Sequence, residues 1–356
     1  MLQKELLNWY GLNKRELPWR NTQDPYIIWL SEVILQQTRV QQGLPYFQNF
    51  LQKYPDVFSM AAAKEDQILK IWQGLGYYSR ARNMLKTARL VSENYNGQFP
   101  KSYSELIKLK GIGPYTAAAI ASFAFNEPVA VLDGNVFRVL SRLYAKNDPI
   151  NSSTGKKVFE ELAHNFLNKA NPATHNQAIM ELGALVCTPK NPNCSICPLQ
   201  KSCLAFDLGL VQTLPVKLKK LKVRTRFLHY FIFENKGKIA IYQRPEGDIW
   251  QNLFDLPSFE DTSHLDKFLL KNKLLELNWL EQNDEIEFLL QMKHILTHQR
   301  LEAIYFLVRT NTLPKLNINE LWIEPRALKL KAIPRLFDKF LDWWKSNDLG
   351  NLTLKK

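Results

Sequence analysis

The chain has 356 residues, 46% of them hydrophobic and 23% charged. That length suggests two or three domains, each able to bury its own core, and excludes a small scaffold that depends on disulfide staples. Lys and Arg number 47 against 34 Asp and Glu, a formal net charge of +13, which favours an anionic partner such as nucleic acid.

The first twenty residues, MLQKELLNWYGLNKRELPWR, scatter charges and hold no continuous apolar stretch, so neither a signal peptide nor a transit peptide is expected. The longest apolar runs, such as AAAIASFAF at 117–125, are far shorter than the ~18 residues of a membrane span. An intracellular, cytoplasmic protein without membrane contact is the expectation. From residue 1 to about 205 apolar residues recur at helical spacing, punctuated by Pro, Gly and Asn, which predicts an almost wholly α-helical domain over 1–216.

Within that domain Asp24 and Pro25 are expected to open a helix as N-cap and first residue, running through YIIWLSEVILQQTRVQQ to Gly43. On it Glu32 shares a face with Ile28, Trp29, Leu35 and Gln36, so its carboxyl should be partly desolvated and its pKa raised, as suits a general acid. An ordinary Glu reaching solvent is the plain alternative. Next, a helix is expected to end at Lys110, followed by the turn Gly111-Ile112-Gly113 and by Pro114 as the first residue of a new helix. Glycines let a backbone approach closely and the amides of such a turn can hold a phosphate, although an ordinary helix-helix turn has the same residues. Asp133 follows the apolar run PVAVL and begins DGNVFRVLSRL, where helical spacing resumes. Amide donors at a helix N-terminus should hold it ionised, whether for simple capping or for catalysis. One acid and one anion are what oxocarbenium chemistry at a sugar requires.

The only four cysteines, Cys187, Cys194, Cys197 and Cys203, lie within 17 residues of a proline-bearing loop. Crowded together, they are poorly placed to staple the chain and well placed to surround a metal centre, zinc or an iron-sulfur cluster. Residues 217–226, KLKKLKVRTR, carry six basic residues and no acid, and read as a linker able to touch phosphates. The remaining 227–356 hold 18 basic and 18 acidic residues. They open with strand-like FLHYFIF and KIAIYQR around ENKG, a predicted hairpin, and continue with helix-like LDKFLLKNKLLEL and strand-like RLEAIYFLV, as in a separate α/β domain.

GIGPYTAAAIASFAF, VLDGNVFRVLSRL and the four-cysteine loop resemble the helix-hairpin-helix base-excision glycosylases. LPWR at 17–20, SEVILQQTRV at 31–40, GLGYYSRARN at 74–83 and ELGALVCTP at 181–189 are similar to signatures of the adenine DNA glycosylases of the MutY type. The resemblance covers about residues 8–205 densely. It implies a 4Fe-4S cluster on the cysteines, a six-helix module over about 22–133 and a cluster module from 1–21 and 134–205. It further implies that Glu32 protonates the purine ring, that Asp133 stabilises or transiently captures the sugar cation and that Asn135 helps order the water. Gly111 and Gly113 would meet a phosphate, Arg20 and Gln177 the flipped adenine, and Gln37 and Tyr77 the base stack. Where endonuclease III-type relatives carry a Schiff-base Lys, this chain has Tyr115, which cannot form an imine, so base removal without strand cleavage is implied.

RPEGDIWQNLFDLP at 244–257 resembles that family's Nudix-like domain, here 227–346 with a tail over 347–356, which reads 8-oxoguanine on the opposite strand. A hydrolytic Nudix box needs an R-E-x-x-E-E cluster, and 258–285 contain no Arg, so this domain is expected to bind rather than cleave. Leu296-Thr297-His298 stands where the family often has Phe-Ser-His, making Thr297 and His298 the expected lesion readers. The implied substrate is duplex DNA with adenine opposite 8-oxoguanine or guanine, and the implied state a monomer. An endonuclease III-like lyase for oxidised pyrimidines and a non-catalytic DNA-binding protein are the competing readings.

Overall fold

The computed structural model describes residues 1–218, 223–309 and 320–347. In chain order its helices are α1 (Leu2–Asn13), α2 (Pro25–Leu35), α3 (Val40–Lys53), α4 (Val57–Ala61), α5 (Glu65–Trp72), α6 (Ser79–Asn94), α7 (Tyr103–Leu106), α8 (Pro114–Phe125), α9 (Gly134–Leu143), α10 (Ser153–Phe166), α11 (Pro172–Leu185), α12 (Leu204–Asp207), α13 (Lys267–Glu276) and α14 (Arg335–Ser346). The strands are β1 (Arg224–Asn235), β2 (Lys238–Gln243), β3 (Phe254–Asp255), β4 (Ser258–Asp261), β5 (Glu285–Ile295), β6 (Gln299–Arg309) and β7 (Glu320–Ile323). Contacts divide the chain into two compact units: 1–62 with 83–220, and 63–82 with 221–356. Among the described residues no helix is long and apolar enough to cross a membrane.

The first unit is all helix, and its starts follow local chemistry. Asp24 caps α2 through the Tyr26 amide at 2.8 Å, with Pro25 behind it. Asp133 caps α9, and Ser152 caps α10. The small residues Ala118 and Ala119 of α8 are buried with Val136, Val139 and Leu140 of α9 and with Ala178, Ile179 and Leu182 of α11 in one core. Short side chains let these helices approach closely, and the closest approach is at Gly183, where an added Cβ would lie 2.6 Å from the Cβ of Asn135.

Two helix boundaries differ from expectation. The helix of Glu32 ends at Leu35 rather than at Gly43: Gln36 turns out of helical geometry, Gln37 takes φ +56°, and α3 begins afresh at Val40. The apolar spacing continues across the break because both helices bury a face in the same core, so periodicity alone cannot show the break. Likewise α7 ends at Leu106, and separate one-turn bonds, Leu109 N to Leu106 O and Ile112 N to Leu109 O, carry the chain past Lys110 to the glycine turn.

The second unit is a seven-stranded sheet ordered β3-β2-β1-β6-β5, with β4 also on β1 and β7 on β2. The predicted hairpin is present, β1 pairing antiparallel with β2 through Asn235 and Lys238, while Lys236 and Gly237 turn with positive φ. β1 runs parallel to β6 along its length, and the near-continuous apolar runs of both strands suit burial on two faces. Phe231, Phe233, Ile304, Phe306 and Leu274 of α13 form its core. The basic stretch 217–226 is less of a linker than expected. β1 begins at Arg224, and Arg224 and Arg226 bond Glu260 at 3.0 and 2.8 Å, so these cations are used in cross-strand pairs. Residues 219–222 of that stretch and 348–356 of the tail lie outside the described residues.

The close α9–α11 contact yields a test. Gly183→Ala must push Asn135 aside, and we expect it to destabilise the protein by about 2 kcal/mol, read as a shifted midpoint in urea unfolding, with a lower catalytic rate in the protein that remains folded.

Candidate active site and cluster loop

Five elements of the first unit, the 18–20 turn, α2, α8, the start of α9 and α11, place their polar side chains around one cavity of about 660 Å³, lined among others by Arg20, Glu32, Tyr115, Asp133, Gln177 and Glu181. This is the size range of pockets that enclose a small organic ligand. The structure therefore brings together six residues singled out from the sequence, Asn135 being the sixth, and adds Glu181.

Glu32 projects from α2 and is 7% exposed. Burial pushes its pKa up to about 7, with a smaller upward push from Asp133, against the downward pull of a hydrogen bond from Tyr115 and of the Arg20 charge. The Tyr115 hydroxyl donates to Glu32 Oε2 at 2.5 Å; its own pKa is driven well up, mainly by burial, so the phenol keeps its proton. Asp133 Oδ1 accepts from the amides of Asn135 and Val136, both at 2.8 Å, and Oδ2 accepts from Asn135 Nδ2 at 2.7 Å. Despite these donors its pKa is raised from the ordinary aspartate value, because burial outweighs them.

Asn135 is held on both sides, since Arg138 Nη2 donates to its Oδ1 at 2.8 Å. Arg138 also donates to the carbonyls of Cys187 (2.6 Å) and Gly183 (2.7 Å), which ties the Asp133 cap to the cysteine loop. Arg20 and Gln177 line the cavity, but both already have partners: Arg20 bonds Glu181 through two nitrogens, at 2.9 and 2.7 Å, and Gln177 accepts from the Tyr10 hydroxyl at 2.7 Å. Sequence reading missed Glu181, Arg138 and Arg142. The available signal was a charged residue on an otherwise buried helix face, at Arg138 and Arg142 one turn apart on α9 and at Glu181 within α11.

Gly111 turns with φ +83°, and a Cβ there would strike Asn83 at 2.6 Å, so the close approach of α6 to the turn requires glycine. Gly113 caps α8 and faces open space, leaving the turn amides accessible to an anion. Gln37 is exposed at φ +56°. In the second unit Tyr77, 41% exposed, sits at φ +47°, and its hydroxyl is hydrogen-bonded to that of Thr297 in the β5–β6 turn. His298 is exposed beside it. Two residues chosen on separate grounds, one for the base stack and one for the lesion, thus meet.

The four cysteines are free thiols lining one small cavity with Arg142. Arg142, 2% exposed, donates to Cys187 Sγ at 3.3 Å and to the Thr188 carbonyl at 2.8 Å. A buried guanidinium beside sulfur fits an anionic centre. Among the described residues no three of His, Cys, Asp or Glu are grouped as ligands of a single ion. Thiols ranged around a cavity suit a cluster, in which each cysteine takes its own iron.

Comparison with known proteins agrees. Residues 30–166 match the family model of the HhH-GPD superfamily base excision DNA repair proteins, 187–203 the iron-sulfur binding domain of endonuclease III, and 229–343 a NUDIX domain. A thermostable thymine-DNA glycosylase of known structure superimposes with a TM-score of 0.54 at 28% identity, covering 58% of this chain and 95% of that one. An endonuclease III–DNA complex shares the fold at 22% identity and a TM-score of 0.50, over 58% of this chain and 94% of that one. Fold and site define a DNA glycosylase of base excision repair, with a helix-hairpin-helix core, a 4Fe-4S cluster and a Nudix-like domain. An adenine DNA glycosylase of Buchnera aphidicola from Schizaphis graminum is 34% identical over 96% of this chain and 97% of its own. The human adenine DNA glycosylase is 42% identical over 56% of this chain and 38% of its own. The chain belongs to the adenine DNA glycosylases.

Cys187, Cys194, Cys197 and Cys203, which line this cavity, would hold the cluster of the 187–203 loop. Iron and acid-labile sulfide are expected in equal amounts. Removing them with a chelator should loosen the loop, read as increased amide exchange at 187–203 and along the N-terminal turn of α9 that Arg138 ties to it.

Proposed function

We propose that this enzyme excises adenine paired with 8-oxoguanine, or with guanine, from duplex DNA by hydrolysis without strand cleavage, as an intracellular monomer. The observation that carries the chemistry is the pairing of a buried carboxyl, Glu32, with a half-buried one, Asp133, in different surroundings. Glu32 carries a proton near neutral pH and donates it to the purine ring of the extruded adenine, turning the base into a neutral leaving group. Tyr115 holds the Glu32 carboxyl in place and, being a phenol, offers no amine for an imine. Asp133, oriented by three hydrogen bonds, faces the cation that grows on the sugar as the glycosidic bond breaks. A water then adds to the sugar, with Asn135 fixing the carboxylate beside it. Arg20 and Gln177 meet the extruded base, and the amides around Gly111 and Gly113 hold a phosphate.

Opposite-strand reading is assigned to Thr297 and His298, with Tyr77 and Gln37 filling the stack that the extruded base leaves. Support comes from the Tyr77–Thr297 bond, which puts Tyr77 in the same unit as the lesion readers. Adenine release under single-turnover conditions from duplexes carrying adenine opposite 8-oxoguanine, guanine or thymine tests this reading. Release opposite 8-oxoguanine and guanine, with strand breaks only after alkali, is expected. Borohydride crosslinking, or release opposite thymine at an equal rate, would overturn it.

Glu32→Gln should lose adenine release by at least about 1000-fold while duplex binding persists. The rate also depends on pH in a definite direction. Glu32 has a folded pKa raised to about 7, so its protonated form dominates below that value. Excision should therefore fall as pH rises through about 7, and a flat profile from pH 6 to 9 would contradict the acid role.

A further inference from the structure

Glu181 lies on α11, 1% exposed, and takes five hydrogen bonds on its two oxygens. Arg15 supplies its amide at 2.8 Å, Nε at 2.9 Å and Nη2 at 2.6 Å; Arg20 supplies Nη1 at 2.9 Å and Nη2 at 2.7 Å. Two guanidiniums thus share one carboxylate, leaving one excess positive charge on this wall of the cavity. Arg20 is pinned further by its bond to the Arg15 carbonyl at 2.9 Å and by lying 5.8 Å from the centre of the Tyr10 ring, whose hydroxyl in turn holds Gln177. The groups facing Glu32 are Tyr115 from α8, Asp133 from the cap of α9 and Arg20 from the 18–20 turn, with Arg15, Arg39 and Glu181 further along the same cavity wall.

We propose that Glu181 is a positioning residue for base excision: it holds the Arg20 guanidinium at the cavity wall and neutralises it, so that the base meets a fixed donor and Glu32 keeps its proton. This rests on the reading of Glu32 as the acid. Arg20 and Glu32 have opposite preferences. A bare cation beside a carboxyl favours loss of the proton, whereas an Arg already paired with a carboxylate exerts a weaker field. The Glu181 carboxylate is itself held down to about 2, the hydrogen bonds and charges of Arg15 and Arg20 outweighing its burial, so it stays charged wherever the enzyme works.

The test is the pH profile of single-turnover adenine release for Glu181→Gln, Glu181→Asp and Arg20→Gln, each with its thermal midpoint measured. Removing the Glu181 charge leaves Arg20 uncompensated, and the alkaline limb should move to lower pH by about half a unit or more. Removing the Arg20 charge should move the same limb to higher pH. Glu181→Asp keeps the charge and should keep the limb at the wild-type position even where its rate is lower. Loss of rate and thermal midpoint with all limbs unmoved would show a purely structural role and overturn the proposal, as would shifts of both charge-removing variants in one direction. If Glu181→Gln does not fold, Arg20→Gln decides: an unmoved limb overturns the proposal. The Glu32→Gln variant separates this failure from that of the underlying reading, because excision surviving in it sinks the acid assignment itself.

Discussion

Burial of the Glu32 carboxyl is the constraint on which the rest of the site depends. Moving its pKa from 4.5 to about 7 corresponds to roughly 3 kcal/mol against the ionised form. The surroundings supply that bias without leaving the group unpaired, since the Tyr115 hydroxyl occupies one oxygen. Asp133 lines the same cavity with its own set of donors, and its charge makes ionisation of Glu32 harder. What separates their roles is hydrogen bonding: Glu32 receives one phenol, whereas Asp133 receives two amides and a side-chain NH2 at a helix start. The helix that Asp133 caps gives it a fixed direction, and the tight seat of Gly183 against Asn135 fixes the helix.

That arrangement extends to the cluster loop through short, named contacts. Asp133 is bonded to Asn135, Asn135 to Arg138, and Arg138 to the carbonyl of Cys187, while Arg142 one turn later meets the Cys187 sulfur. One face of α9 therefore joins the Asp133 carboxylate to the 187–203 loop. On the proposed mechanism the cluster would matter without taking part in the chemistry, because it would close the loop at the far end of the chain of hydrogen bonds that orients Asp133.

Much of this was legible in the sequence, and the parts that were not have identifiable causes. The caps at Asp24 and Asp133, the β1–β2 hairpin and the cysteine loop are written in short-range chemistry, where a residue type and its immediate neighbours decide the outcome. The break at Gln36 and Gln37 was invisible because α2 and α3 bury faces in one core and the apolar rhythm passes through it. Glu181 was overlooked because its partners, Arg15 and Arg20, lie more than 160 residues away in the chain, and its one local mark is its place on an otherwise buried face of α11. The net effect of burial on Asp133 likewise depends on which helices close over it. Arg224 and Arg226 looked like a free basic stretch until Glu260 came opposite them.

Gln37 and Tyr77 share a feature that bears on how such a protein changes over time. Both are large, exposed residues held at left-handed backbone angles, a conformation that costs a non-glycine residue of the order of 1 kcal/mol and that Asn or Gly adopts with less strain. Neither position is shaped for the stability of the free enzyme. Selection for heat resistance alone, in the laboratory or in a lineage released from repair, is therefore expected to reach these two tips early and relieve their strain.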